Sequence, residues 1–105
     1  GPEKAVQVAV AVLRHEGALL IGQRPPGVPL AGLWEWWRDP AQPDGPGIET
    51  YTILTTAANA QVAPVHDRMP VIVPAALHAQ WLDPARDSAP VLKGEAPTLR
   101  LVAGV

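Results

Sequence analysis

The sequence predicts an α+β protein that is mainly β, with a small antiparallel sheet or partial barrel and one or two short helices. Thirteen prolines and nine glycines among 105 residues are too many for a helical bundle and favour short strands joined by turns. Hydrophobic residues make up 48% of the chain, which is enough for one compact domain with its own core. That core must be aliphatic and tryptophan-based, because the chain has four tryptophans, one tyrosine and no phenylalanine.

The first part of the chain is predicted to form a β-hairpin. Valines recur at every second position in residues 6–13, and apolar residues fill most of the positions between them. A run that is apolar on both faces predicts a buried strand. A tight turn with positive φ at Gly17 is predicted next, and residues 18–24 return as the second strand. Proline-rich residues 25–29 end that strand, because proline has no N–H group to donate to a sheet.

The rest of the chain is predicted to alternate short strands with turns. Residues 74–82 are typical of a short helix, because Pro74 suits a helix start and Leu77 and Trp81 lie four positions apart. A helical turn is predicted over residues 57–62. Further strands are predicted at residues 32–37, 50–56, 69–73 and 98–103, with loops at residues 39–47 and 87–97.

Composition argues against several classes of function. These residues contain no cysteine, so they offer no disulfide, thiolate metal site or thiol nucleophile. The net charge of −2 argues against broad electrostatic capture of nucleic acid, although a local basic patch stays open. We expect no metal or other cofactor, because the three histidines lie in unrelated segments, as His15, His66 and His78.

We also expect a soluble protein with no membrane partner. No apolar run approaches the roughly 20 residues that span a bilayer. The pair Gly1-Pro2 is typical of the residues left when an expression tag is cleaved, which favours a recombinant origin.

Residues 8–35 read VAVAVLRHEGALLIGQRPPGVPLAGLWE. This segment, from about residue 5, resembles the amino-terminal part of Nudix hydrolases, in particular the Nudix-like domain of adenine glycosylases. In that family a helix carrying several glutamates follows and binds the metal ions that activate water. Here Trp36-Trp37-Arg38 follows instead, and Glu49 and Glu95 are isolated. We therefore expect no Nudix reaction.

A second set of motifs begins at residue 32. In chain order these motifs read GLWEWWRDP, ETYTILTTAANA, APVHDRMPVIVP and WLDP. Over about residues 32–84 they closely resemble the SOS-response-associated peptidase (SRAP) family. The resemblance implies a mostly β, barrel-like fold, a cytoplasmic setting and the sensing of abasic sites in single-stranded DNA through an amino-terminal cysteine. It also implies that Glu35 and His66 move protons around that cysteine and that Thr55 hydrogen-bonds within the site.

The chain departs from the SRAP pattern at that cysteine, which these residues lack. The front of the chain also has no counterpart of the family's Asn and Arg motif. We therefore expect no covalent crosslink and a vestigial role for Glu35, Thr55 and His66, which have the alternative interpretation of ordinary structural or solvated residues. Candidates for weak binding of single-stranded DNA, by base stacking and phosphate contact, are Trp36, Arg38 and Arg68. Their alternative interpretation is packing for the tryptophan and ordinary surface charge for the arginines.

Both family patterns contain the string Leu-Trp-Glu, so the stretch Gly32–Arg38 is interpreted as a junction. We expect a single domain over residues 1–105, with a Nudix-like segment at 3–35, an SRAP-like segment at 32–84 and a tail at 85–105. The first hypothesis is an artificial or recombined chimeric scaffold without a native reaction. The alternatives are weak SRAP-like binding of abasic or single-stranded DNA, and residual hydrolysis of a nucleoside diphosphate derivative. Unmatched strand edges and apolar faces favour a homodimer or higher oligomer, by edge pairing, strand or domain swapping, or tryptophan packing.

Overall fold

In a computed structural model of the chain, the structure describes residues 2–22, 28–94 and Leu99. The helices are α1 (Pro2–Glu16), α2 (His78–Leu82), which follows a 3-10 turn at Ala75–Leu77, and α3 (Ala89–Lys93). The strands are β1 (Ala18–Ile21), β2 (Leu30–Trp37), β3 (Ile48–Ile53), β4 (Thr55–Ala57) and β5 (Arg68–Pro70).

The strands form two small antiparallel sheets. One has the order β1-β2-β3, and the other pairs β4 with β5. The predicted fold class, α+β and mainly β, is confirmed, and the sheets do not close into a barrel within the part of the chain that the structure describes. No helix in that part is long and apolar enough to cross a membrane.

The two sheets meet at a strand junction formed by Ala31, Leu54 and Val71. Their backbones make a closed ring of hydrogen bonds: Ala31 donates to Val71 at 2.9 Å, Val71 donates to Leu54 at 2.9 Å, and Leu54 donates to Ala31 at 3.0 Å. Strands β3 and β4 therefore form one continuous segment with a bend at Leu54. The segment pairs with β2 before the bend and with β5 after it. The chain after β5 returns to the start of β2, where Val73 donates to the carbonyl of Pro29 at 3.0 Å.

The hydrophobic core lies against this junction. It contains Val10, Ala31, Leu33, Val71, Val73, Trp81 and Val91. Trp81 is fully buried, and its indole N–H donates to the carbonyl of Leu19 at 2.9 Å, so α2 is tied to β1. A buried indole needs such a partner, because an unmade hydrogen bond there costs free energy.

The strand predicted over residues 6–13 is wrong, because these residues form the middle of α1. A run that is apolar at nearly every position has no distinctive period, and alanine and leucine favour a helix. The hairpin forms instead between β1 and β2. Among the described residues the positive φ occurs at Gly22, with a value of 79°, and not at Gly17.

The other secondary-structure predictions have mixed outcomes. The strand at 32–37, the loop at 39–47 and the helix at 74–82 are confirmed. The strand predicted at 50–56 is interrupted at Leu54, where the chain changes partner. Part of the loop predicted at 87–97 is α3, and the strand predicted at 98–103 lies outside the described residues apart from Leu99.

Candidate functional site

Strands β4 and β5 bring together three of the residues that the sequence singled out. Thr55 lies opposite Pro70, and Arg68 lies opposite Ala57, so both face the same side of the pair. The Arg68 guanidinium donates from Nη2 to the Thr55 hydroxyl at 3.1 Å. This hydrogen bond orients a cation at the exposed edge of the sheet.

His66 joins the same cluster through the backbone of Arg68. The N–H group of Arg68 donates to Nδ1 of His66 at 3.0 Å. The same Nδ1 lies 3.1 Å from the carbonyl oxygen of Arg68, so it accepts from the Arg68 N–H in one neutral tautomer and donates to the Arg68 carbonyl in the other. Nδ1 of His66 also lies 3.3 Å from Oδ1 of Asp67. We call Thr55, His66 and Arg68 the Arg68 cluster.

The loop before β5 holds His66 in place. The Asn59 side chain accepts hydrogen bonds from the N–H groups of Gln61 at 3.1 Å and Val62 at 3.0 Å. This is the local side-chain cap that asparagine commonly makes at the start of a turn. The His66 N–H then donates to the carbonyl of Val62 at 2.9 Å. Of residues 57–62, predicted as a helical turn, Ala57 ends β4 and residues 58–62 begin the compact loop that leads into the cluster.

Glu35 does not join the Arg68 cluster. It lies on β2 opposite Thr50, whose hydroxyl donates to the Glu35 carbonyl at 3.4 Å. Its side chain lines a cleft of about 170 Å³ together with Leu13 and Glu16 of α1. Among the described residues, no hydrogen bond or ion pair links Glu35 to the cluster. The trio of Glu35, Thr55 and His66 is therefore not assembled by direct contacts.

Trp36 and Arg38 lie at the far end of β2. The Trp36 indole covers Gly47 so closely that a Cβ atom at that glycine would collide with the ring. Arg38 donates from Nη1 to the carbonyl of Pro43 at 3.3 Å, which ties it to the loop at 39–47. Arg38 therefore follows β2 of one sheet while Arg68 lies on β5 of the other, and no hydrogen bond among the described residues joins the two arginines.

The three-stranded sheet carries an aromatic surface that extends beyond Trp36, the stacking candidate named from the sequence. Trp34 pairs with Tyr51 across β2 and β3, and Trp36 and Ile53 project from the same face. Tyr51 is 70% exposed and Trp36 is 56% exposed. The signal was the period-two alternation of these residues. In the described part of the chain, no group of three or more His, Cys, Asp or Glu side chains could hold a metal ion.

Comparisons with known proteins connect these residues to one family. The sequence model of the SOS response associated peptidase (SRAP) family matches residues 21–100. The abasic site processing protein YoqW of Bacillus subtilis (strain 168) is 43% identical over 55 residues, which cover 52% of this chain and 23% of that protein. The abasic site processing protein YoaM of the same organism is 38% identical over 64 residues, covering 61% of this chain and 27% of that protein.

One solved structure shares the fold of this chain. The crystal structure of a protein from Bacteroides thetaiotaomicron matches with a TM-score of 0.55 and 25% sequence identity, over 72% of this chain and 33% of that one. The chain spans about a quarter of the length of the curated relatives.

The family match is longer than the sequence predicted. It begins at Ile21, ahead of the junction interpreted at Gly32–Arg38, and continues past residue 84 to residue 100. It includes four of the five strands in full, the Arg68 cluster and the aromatic surface. Because the match extends over most of the 105 residues, the chain belongs to the SOS response associated peptidase family.

Proposed function

We propose that the chain binds single-stranded DNA at or beside abasic sites, without a covalent bond, and that the Arg68 cluster makes the central contact. The observation that carries the proposal is the exposed guanidinium of Arg68, oriented by the Thr55 hydroxyl at 3.1 Å within the family-matched residues. The related YoqW and YoaM proteins are named for abasic site processing. Because these 105 residues contain no cysteine, the proposal for them is limited to non-covalent binding.

Each member of the Arg68 cluster has a distinct role in the proposal. Arg68 contacts a backbone phosphate, since a guanidinium with several donors can bond Thr55 and a phosphate oxygen together. Thr55 holds that guanidinium in place. His66, whose Nδ1 contacts the backbone of Arg68, donates to a phosphate or sugar oxygen through Nε2 when the ring carries its proton there.

Trp36 and Arg38 provide a second, separate contact. The Trp36 ring is 56% exposed and offers a surface on which a base can stack. Arg38 lies two residues further along at the end of β2 and supplies positive charge beside it. The proposal assigns Glu35 no role in binding, because it lines a different cleft with Glu16.

The earlier hypothesis of a chimeric scaffold without a reaction stays a prediction. The family match crosses the proposed junction, so it gives that hypothesis no support. The Nudix-like segment at 3–35 is likewise without support from the matched proteins.

The test is a titration of fluorescently labelled single strands, one with an abasic site and one intact, at several salt concentrations. Arg68→Gln is expected to weaken binding by about 5- to 10-fold and to lower the slope of log affinity against log salt by about 1. Arg86→Gln is the matched control, because Arg86 is exposed and contacts Gln80 rather than the cluster. It is expected to change affinity by less than about 2-fold.

Two outcomes would count against the proposal. The first is an absence of salt-dependent binding to either strand. The second is an equal loss of affinity in Arg68→Gln and Arg86→Gln, which would mean that total charge and not the cluster determines binding.

A further inference from the structure

Strand β3 is an edge strand of the three-stranded sheet. It pairs with β2 on one side, and among the described residues no other strand pairs with its second side. Leu54 donates to the carbonyl of Ala31, so residues of β3 in step with Leu54 direct their backbone groups towards β2. Glu49, Tyr51 and Ile53 lie out of step with Leu54 and therefore direct their N–H and C=O groups away from the sheet.

This edge lacks the features that usually protect a strand from pairing. The segment Ile48–Ile53 reads IETYTI, with β-branched and aromatic residues, no proline, no lysine and a single charge at Glu49. Ile48 is 53% exposed and Tyr51 is 70% exposed. Natural edge strands are commonly blunted by lysine, proline or a bulge. An edge without these features is a template for pairing with another strand.

We propose that β3 pairs antiparallel with β3 of a second copy of this chain. The two copies are related by a two-fold axis that passes midway between their Tyr51 residues. In this register Tyr51 lies opposite the partner subunit's Tyr51, and Glu49 lies opposite the partner subunit's Ile53. The three residues whose backbone groups point outward then form backbone hydrogen bonds with the three outward-pointing residues of the partner strand. A two-fold axis perpendicular to the sheet keeps the same face of both copies on the same side.

The sequence of the strand is self-complementary in this register and fits a second copy better than an unrelated strand. The single charge, Glu49, faces an isoleucine and not its own counterpart, so no like charges oppose one another. Thr50 lies opposite the partner subunit's Thr52. If the axis lay between the two Thr50 residues instead, Ile53 would lie beyond the end of the partner strand. Its outward-directed N–H and C=O groups would then have no hydrogen-bond partner in that strand.

Pairing would also extend the aromatic surface across the axis. Trp34 is the cross-strand neighbour of Tyr51 within one copy. The two Tyr51 rings and the two Trp34 rings would form one row on the outer face of a continuous sheet. Cross-strand aromatic pairs of this kind stabilise antiparallel sheets.

The absence of cysteine from these residues permits a direct test with single thiols. Directly opposed residues of a hydrogen-bonded antiparallel pair have Cα atoms about 5.5 Å apart, within the range that a disulfide spans. Tyr51→Cys is therefore expected to give a disulfide-linked dimer under mild oxidation, seen on a non-reducing gel. Thr50→Cys is the matched control, because its Cα atoms would lie beyond about 7 Å, too far for a disulfide.

A second experiment measures the oligomeric state of the unmodified chain and of two lysine variants. Light scattering over micromolar concentrations is expected to show a dimer. Tyr51→Lys, which places two lysines on the axis, is expected to weaken dimerisation about 5-fold or more. Val65→Lys, at a position 77% exposed and outside β3, is expected to leave it unchanged.

Two results would overturn the proposal. A chain that stays monomeric at all concentrations, together with no crosslink in Tyr51→Cys, would show that β3 does not pair with itself. A crosslink in Thr50→Cys without one in Tyr51→Cys would place the axis elsewhere and refute the register.

Discussion

The two ends of β2 are both largely apolar but have opposite surroundings. The covered end, Leu30–Leu33, lies at the strand junction, and Ala31 and Leu33 are 0% and 5% exposed. The exposed end, Trp34–Trp37, carries three tryptophans that are between 38% and 56% exposed. The difference is that residues 71–73 and Trp81 pack on the first end. Burial in this protein is therefore set by the elements that cover a strand and not by the hydrophobicity of its residues.

The largest expected effect is at the residue that covers β2. Trp81→Ala removes a fully buried ring and its hydrogen bond to the carbonyl of Leu19. We expect the free energy of unfolding to fall by about 3–5 kcal/mol, a large fraction of the total stability of a small domain. Urea denaturation followed by far-ultraviolet circular dichroism measures this change.

Trp36→Ala is the matched control at the exposed end. The same chemical deletion there is expected to cost less than about 1 kcal/mol, because the ring is already half in water. If Trp36→Ala and Trp81→Ala lowered the free energy of unfolding equally, the two ends of β2 would not differ in the way described.

The comparison also shows which parts of the fold could be predicted from the sequence. Most of strand β2 was predicted, over residues 32–37, because tryptophan and leucine are set among polar positions there. Helix α1 was not, since residues 6–13 are apolar at nearly every position and fit a buried strand as well as a helix. In the structure Val10 is buried, whereas Val6 and Val12 are exposed. The difference arises because one side of α1 packs against the sheet, and the sequence of residues 6–13 alone does not show which side that is.

The direct contacts between the candidate site residues could not be predicted from the sequence. Thr55 and His66 were singled out by family resemblance together with Glu35, and Arg68 was singled out as a phosphate contact. Direct contacts join the Arg68 cluster because β4 pairs with β5, whereas Glu35 belongs to the other sheet. The bend at Leu54 separates them, and it depends on Val71 entering between β2 and the bent strand. Long-range backbone pairing of this kind leaves no local signal in the sequence.

A second prediction concerns how tightly the covered end is packed. Ala31 is completely buried at the strand junction, so Ala31→Leu forces extra volume into a filled space. We expect the free energy of unfolding to fall by about 1–3 kcal/mol. Ala57→Leu introduces the same group at an exposed strand position and is expected to cost less than about 0.5 kcal/mol. Parallel urea titrations measure the free energy of unfolding of both variants. Equal decreases would show that the strand junction accommodates the larger side chain.

The smallest expected effect concerns a charge at the covered end. The Arg14 guanidinium is 2% exposed, lies 5.6 Å from the centroid of the Trp81 ring and donates to the carbonyl of Asp83 at 3.1 Å. Its Nε and Nη1 have no hydrogen-bond partner among the described residues. Burial lowers the pKa of Arg14, and the negative charges of Asp87 and Asp83 oppose that shift. A folded-state pKa below the unfolded value means that the charged form costs stability.

That cost is present at neutral pH and is relieved only at strongly alkaline pH, where the guanidinium begins to lose its proton. Arg14→Met keeps most of the apolar stem and removes the charge, so we expect the free energy of unfolding to be unchanged or up to about 2 kcal/mol higher. Arg14→Ala also removes the stem and is expected to lower it by about 1–3 kcal/mol. The difference between Arg14→Met and the parent chain should be the same at neutral and mildly alkaline pH, because arginine stays charged in both. Equal destabilisation by methionine and alanine would show instead that the charge over Trp81 stabilises the covered end.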